Sequence, residues 1–218
     1  MDTAHQPASD GEHLDSRKRL AAANRAALIE LATQRFATEG YAQTSMRDLE
    51  RDGPVTLAAI YSHFHNKADL LVAAINQRIV EDLEDVPDEV RRGDLVERLS
   101  NNARTYPERR ALRALLVQAA AAAQTDPLAK ARVRDAQRAH LDDWSTAYHE
   151  NRERIGLDPD VDIDTAIRFN WAAELGLGIL EAFDLAPDPK HWTEMQARVA
   201  RSLLEPTRGT GGGDSGVV

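Results

Sequence analysis

The ten residues Ser62–Leu71, SHFHNKADLL, bring together two histidines, an aromatic ring, a lysine and a helix cap. Such a set could ligate a metal, move protons or face a polyanion. His63 and His65 are two positions apart, so on a helix they point to different sides, and no carboxylate or cysteine constellation completes a coordination set. No metal and no cofactor is implied. Phe64 reads as core that locks a short helix to an earlier one, and His65 as an exposed turn residue. Elsewhere the chain offers no nucleophile and base, no glycine-rich phosphate loop, no zinc spacing and no paired carboxylates. An enzyme is not expected.

At 218 residues the chain makes one comfortable domain or two small ones. It has no cysteine, which removes disulfides, thiolate zinc sites and thiol switches together. The N-terminus lacks a charged region followed by an apolar segment, and no long uncharged apolar run follows. A soluble cytoplasmic protein without membrane contact is expected.

A net charge of −9 argues against a nucleic-acid partner until it is divided along the chain. Residues 12–67 are nearly balanced, with Arg17, Lys18, Arg19, Arg25, Arg35, Arg47, Arg51 and Lys67 set against seven acidic residues. The acidity therefore belongs to the later part, and a phosphate-facing surface remains open to the front.

Helical spacing dominates, and strand-like alternation is scarce. The expected fold is all-α, with about nine helices near 17–39, 46–53, 57–63, 67–85, 93–105, 107–124, 127–154, 162–184 and 189–204. Ser45, Thr56 and Asn66 read as N-caps. Asp126-Pro127 and Asp188-Pro189 read as a cap followed by a first-turn proline, and Pro107 as a further helix opener. Gly40 and Gly156 read as stops at positive φ. Residues 1–15 and the Gly-rich tail 206–218 read as disordered flanks.

A supporting helix with Leu28, Ile29, Ala32 and Phe36, then two short helices joined by a tight turn at DGPV, make a helix-turn-helix. From Arg35 to Leu71 the sequence resembles the N-terminal module of the TetR family of bacterial transcriptional repressors. The likeness is carried by Phe36-Ala37, Gly40-Tyr41, Thr44-Ser45, Leu49, Val55-Thr56, Tyr61, His63-Phe64 and Lys67. It implies a DNA-binding module at 16–66, joined by the fourth helix to a ligand-binding and dimerisation domain at 67–205.

The resemblance further implies DNA contacts by Thr44, Ser45, Arg47, Thr56, Leu57, Ala58, Ala59, Tyr61, His63 and Lys67. Thr44, Ser45, Tyr61, His63 and Lys67 would touch the sugar-phosphate backbone, while Thr56 to Ala59 would face base edges. Hydroxyls, a phenol and a lysine position a protein on DNA without reading sequence. Leu57, Ala58 and Ala59 offer only apolar contact to thymine methyls, so shape readout is expected to matter.

Two residues depart from the family pattern. Glu50 stands where alanine is usual, so it must escape to solvent or find a partner such as Arg47, Arg51 or Arg25. Gly53-Pro54 stands where Ala-Gly is usual, so the turn must shift if Gly53 takes a positive φ. They leave open a second reading, an interaction protein of this fold with weakened or lost DNA binding.

Behind the module, residues 162–184 are apolar around most of the helix, which implies burial on more than one side. Gly176, Gly178 and Leu180 there, with Trp192, Met195, Val199 and Leu203 of the last helix, are the candidate homodimer face. Trp144, Tyr148, Asn170, Trp171 and Glu174 are candidates for an effector pocket. The expected partners are palindromic double-stranded operator DNA, a moderately apolar small molecule and a second copy of the chain.

Overall fold

The computed structural model describes residues 8–84, 104–105 and 107–203. Among them stand eight helices and no strand. They are α1 (Ala8–Thr38), α2 (Met46–Asp52), α3 (Leu57–His63), α4 (Lys67–Glu84), α5 (Arg110–Thr125), α6 (Pro127–Glu150), α7 (Ile163–Ala182) and α8 (Pro189–Ser202). The fold is all-α, as expected.

Three boundaries differ from expectation. Residues 8–15, expected within a disordered arm, are the start of α1. Pro107–Arg109 form a turn, and α5 begins only at Arg110. Helix α6 stops at Glu150, and the chain turns through 151–156 to Gly156 at φ +70°. The helix expected at 93–105 lies mostly outside the described residues, as does the tail 206–218.

The caps follow the sequence. Asp126 accepts hydrogen bonds from the N–H groups of Leu128 and Ala129, at 2.9 and 3.1 Å, and so opens α6. Asp188 opens α8 in the same way, through Lys190 and His191. Helix α1 ends where Glu39 and Gly40 both donate to the Arg35 carbonyl and Gly40 takes φ +94°, a conformation without strain only for glycine.

The described residues pack as two units. The first runs through Glu81 and resumes over Ala111–Gln137, so that α4, α5 and the start of α6 pack with the helix-turn-helix. Its core joins Leu28, Ile29, Ala32 and Phe36 of α1 to Leu49, Ile60, Phe64, Leu70, Leu71, Ala74, Ile75, Leu115 and Leu116, all buried. Each large side chain removed from water there contributes about 1.5–3 kcal/mol, so α2 and α3 are held by their apolar sides rather than by their own short length.

The second unit takes the remaining described residues. Its core is Ile155, Leu157, Ile163, Ile167 and Ala200, with Leu141, Trp144, Tyr148, Val161 and Leu203 packed around it.

Candidate nucleic-acid interface

The turn between α2 and α3 sets the angle of the second short helix. Gly53 adopts φ −101° and ψ 171°, extended backbone of the kind a residue before proline prefers. The turn therefore needs no positive φ and no shift. Glycine is required by space instead, since a Cβ on Gly53 would meet the Leu49 carbonyl oxygen at 2.4 Å.

Glu50 neither escapes to solvent nor pairs with an arginine. Its carboxylate accepts a hydrogen bond from the backbone N–H of Leu57 at 2.8 Å. Thr56 accepts from Ala59 N–H at 3.3 Å, so two of the free N–H groups at the start of α3 are satisfied, one of them by an anion favoured at a helix N-terminus. The departure from the family pattern is thus an added cap.

Helix α2 starts on a reciprocal cap, with Ser45 Oγ accepting from Asp48 N–H at 3.2 Å and Asp48 accepting from Ser45 N–H at 3.0 Å. These bonds to Ser45, more than the nearby Arg51, hold the Asp48 carboxyl below the usual carboxylate range. Arg51 in turn pairs with Asp48 at 2.9 Å and Asp52 at 3.1 Å, while Arg35 pairs with Glu39 at 3.0 Å and with Asp52. Those cations are already neutralised.

Ser45, Arg47, Thr56, Ala58 and Tyr61 are exposed, and Leu57, Ala59 and His63 are partly so. The Tyr61 ring, 47% exposed, stands out among large apolar side chains that normally seek cover. These eight of the ten expected DNA-facing residues have surface on α2 and α3.

Thr44 has none, and Lys67, partly exposed on α4, directs its ammonium to backbone carbonyls. Thr44 is 1% exposed, and its hydroxyl donates to the Gly40 carbonyl at 3.0 Å. The Lys67 ammonium donates to the carbonyls of Tyr41 at 2.6 Å and Thr44 at 2.9 Å, and lies 4.1 Å from the centre of the Tyr41 ring. Burial lowers the Lys67 pKa, with Asp126 opposing. Both residues, expected on phosphate, are turned inward to close the loop between α1 and α2.

Two further residues grip that loop. Gln118 of α5 accepts from Tyr41 N–H at 3.1 Å, and Asp126 accepts from the Tyr41 hydroxyl at 3.4 Å. Burial, then Asp126, pushes the Tyr41 phenol well above its ordinary range. Neither partner was legible in the sequence, because no local pattern links positions so far apart along the chain.

In the second unit a cleft is lined from α6 by Trp144 and Tyr148, from α7 by Ile163, Ile167 and Asn170, and from α8 by Gln196, Val199 and Leu203. Its lining holds no charged side chain. The enclosed space is about 40 Å³, room for little more than a water. Three of the five expected pocket residues line it. Trp171 instead stands edge-on to Trp144, ring centres 6.0 Å apart, and Glu174 lies one turn further along α7 outside the lining.

The candidate dimer residues divide. Leu180 and Met195 are 38% and 56% exposed, and Phe169, Ile179, Phe183 and Leu185 are exposed as well. Gly176 has open space above it, whereas Gly178 is buried and Trp192 partly buried. Val199 and Leu203, expected on the outer face, line the cleft instead. The α8 stripe thus turns inward at its end.

An all-α chain with this helix-turn-helix belongs among DNA-reading folds. Residues 28–74 match the bacterial regulatory proteins of the tetR family. Over 52 residues, 24% of this chain and 25% of the relative, the sequence is 42% identical to the HTH-type transcriptional regulator TtgR of Pseudomonas putida. The match thus spans about a quarter of that curated relative.

Two solved structures share the wider fold. GusR of Salmonella enterica aligns over 83% of this chain and 95% of its own, at 22% identity and a TM-score of 0.65. FadR of Bacillus subtilis, solved with stearoyl-CoA, aligns over 82% and 98%, at 14% identity and a TM-score of 0.65. The chain carries a TetR-family N-terminal module, and its wider fold is shared with both structures. The family and the relatives named are transcriptional regulators rather than enzymes.

Proposed function

We propose that this protein is a homodimeric, ligand-responsive transcriptional repressor that binds a palindromic operator in the cytoplasm. The observation that supports this most is the helix-turn-helix itself. Its second short helix is capped at its N-terminus by Glu50 and Thr56, and it offers Thr56, Ala58 and Tyr61 to solvent. An exposed phenol, hydroxyls and the exposed Arg47 suit a phosphate backbone. The apolar Ala58 and Ala59 suit thymine methyls.

The exposed apolar side chains of α7 and α8 favour a second copy as partner, and a two-fold dimer matches a two-fold operator. The cleft under α6, α7 and α8 is the effector site in this reading. A lining without charge favours an uncharged, largely apolar molecule oriented by Asn170, Gln196 or Tyr148. A drug-sized molecule needs several hundred Å³, so α7 and α8 must part to admit one. Binding that favours the parted state weakens operator affinity, and DNA weakens effector affinity by the same factor.

The rival reading, an interaction protein without DNA binding, rests on Glu50, Pro54 and the acidity of the chain. The first two weigh less for it, because Glu50 caps α3 and Pro54 follows an extended residue. The test is a binding selection on genome fragments with the purified protein, followed by salt titration on the best fragment. A palindrome bound as a dimer with a steep salt slope supports the repressor. No enriched fragment from a folded dimer returns the rival.

A further inference from the structure

We propose that α1 carries a second DNA contact, in which Arg17, Lys18 and Arg19 hold phosphates flanking the stretch that α3 faces. The inference rests on the DNA-binding reading above. Helix α1 is exposed from Asp15 through Ala23, and the first buried residue after Asp15 is Leu28. Packing therefore does not explain this part of the helix. Ala21, Ala22 and Ala23 sustain it by propensity, and its charge stays in water.

That charge is one-sided. Between residues 15 and 25 stand Arg17, Lys18, Arg19 and Arg25 against the single anion Asp15. No hydrogen bond or ion pair among the described residues engages the first three. They differ in this from Arg35 and Arg51, whose charge is spent on Glu39, Asp48 and Asp52.

Position gives the charge a role. The Arg25 guanidinium lies 5.1 Å from the centre of the Phe64 ring, and Phe64 caps the C-terminus of α3. Arg25 lines the same groove as His63. Helix α1 is thereby pinned to the end of α3 that bears Tyr61 and His63. Lys18 precedes Arg25 by seven residues, which returns it to the same face about 10 Å further along, and Arg17 and Arg19 lie about 100° to either side. Phosphates on one strand are spaced about 3.4 Å along the duplex axis, so a helix continuing about 10 Å along the duplex would meet phosphates about three nucleotides beyond the end of α3.

The probe is a random-sequence 40-base-pair duplex, titrated by fluorescence anisotropy at several sodium chloride concentrations. The proteins are the full chain, the variant R17Q/K18Q/R19Q and the variant Arg47→Gln. Glutamine keeps helix propensity, and far-UV ellipticity should be unchanged because the three side chains are exposed. Each lost phosphate contact lowers the slope of log affinity against log salt by about 0.9. The inference expects the triple variant to lose at least one such step per protomer, and Lys18→Glu alone to lose affinity as well. If Arg47→Gln flattens the slope while the triple variant and Lys18→Glu match the parent, the α1 contact is overturned and DNA binding stands. Absence of any salt-dependent binding by the parent overturns both.

Discussion

The ammonium of Lys67, the first residue of α4, lies 2.6 Å from the carbonyl oxygen of Tyr41 and 4.1 Å from the centre of its ring. One cation thus satisfies the loop that enters α2 and closes it against α4. Hydrogen bonds to a charged group contribute about 1.5–3 kcal/mol, so Lys67→Met should lower unfolding free energy by about that amount in urea titrations. The salt slope of DNA binding should stay that of the parent. A flattened slope at full stability would return Lys67 to the phosphate role the sequence suggested.

Glu50 is predicted to stabilise α3. Loss of a helix cap costs about 0.5–2 kcal/mol, so Glu50→Ala should lower the thermal midpoint, whereas Glu50→Gln keeps an acceptor for Leu57 N–H and should lower it less. Equal midpoints for Glu50→Ala and the parent would remove the cap from the account.

Gly53→Ala forces a Cβ against the Leu49 carbonyl. Since the contact is with backbone, the turn must move, and a loss of more than about 1 kcal/mol is expected. Chemical denaturation reads it directly; a neutral substitution would mean that α2 and α3 can separate at little cost.

His140 gives the second unit a pH dependence. Its ring lies 4.4 Å from that of Trp144 and 6.1 Å from that of Trp171, and burial lowers its pKa, with Asp143 opposing. The unfolded chain then binds the proton more readily than the folded one. Stability from the neutral ring is full above about pH 6.5 and declines as pH falls from there toward the folded value. Thermal midpoints across pH 5–8 should show this decline, and His140→Phe should shallow it. The same decline in that variant would assign the effect to other groups.

The cleft offers an optical test, because all three tryptophans lie at positions 144, 171 and 192 of the second unit. The uncharged dye N-phenyl-1-naphthylamine should brighten on binding and quench tryptophan emission. Ala166→Phe, which fills the lining, should abolish both changes. Dye binding undiminished by that change would move the effector site elsewhere.

Local signals in the sequence determined a good deal here. Helical periodicity, the caps at Ser45, Thr56, Asp126 and Asp188, and the stop at Gly40 act within a few residues, so they announce all-α structure and the helix-turn-helix directly. The same short range explains the correct reading of Phe64 as core.

Tertiary structure alone decided where polar groups on those elements find partners. Lys67 reaches carbonyls 23 and 26 residues away, and Glu50 takes the N–H of Leu57 across a turn rather than an arginine. Val199 and Leu203 fit an outward stripe by spacing, yet they line the cleft, because spacing defines a stripe on α8 but not which neighbour that stripe meets. A buried polar or apolar group settles on whatever partner the folded chain brings within reach, and no periodicity encodes contacts made across that distance.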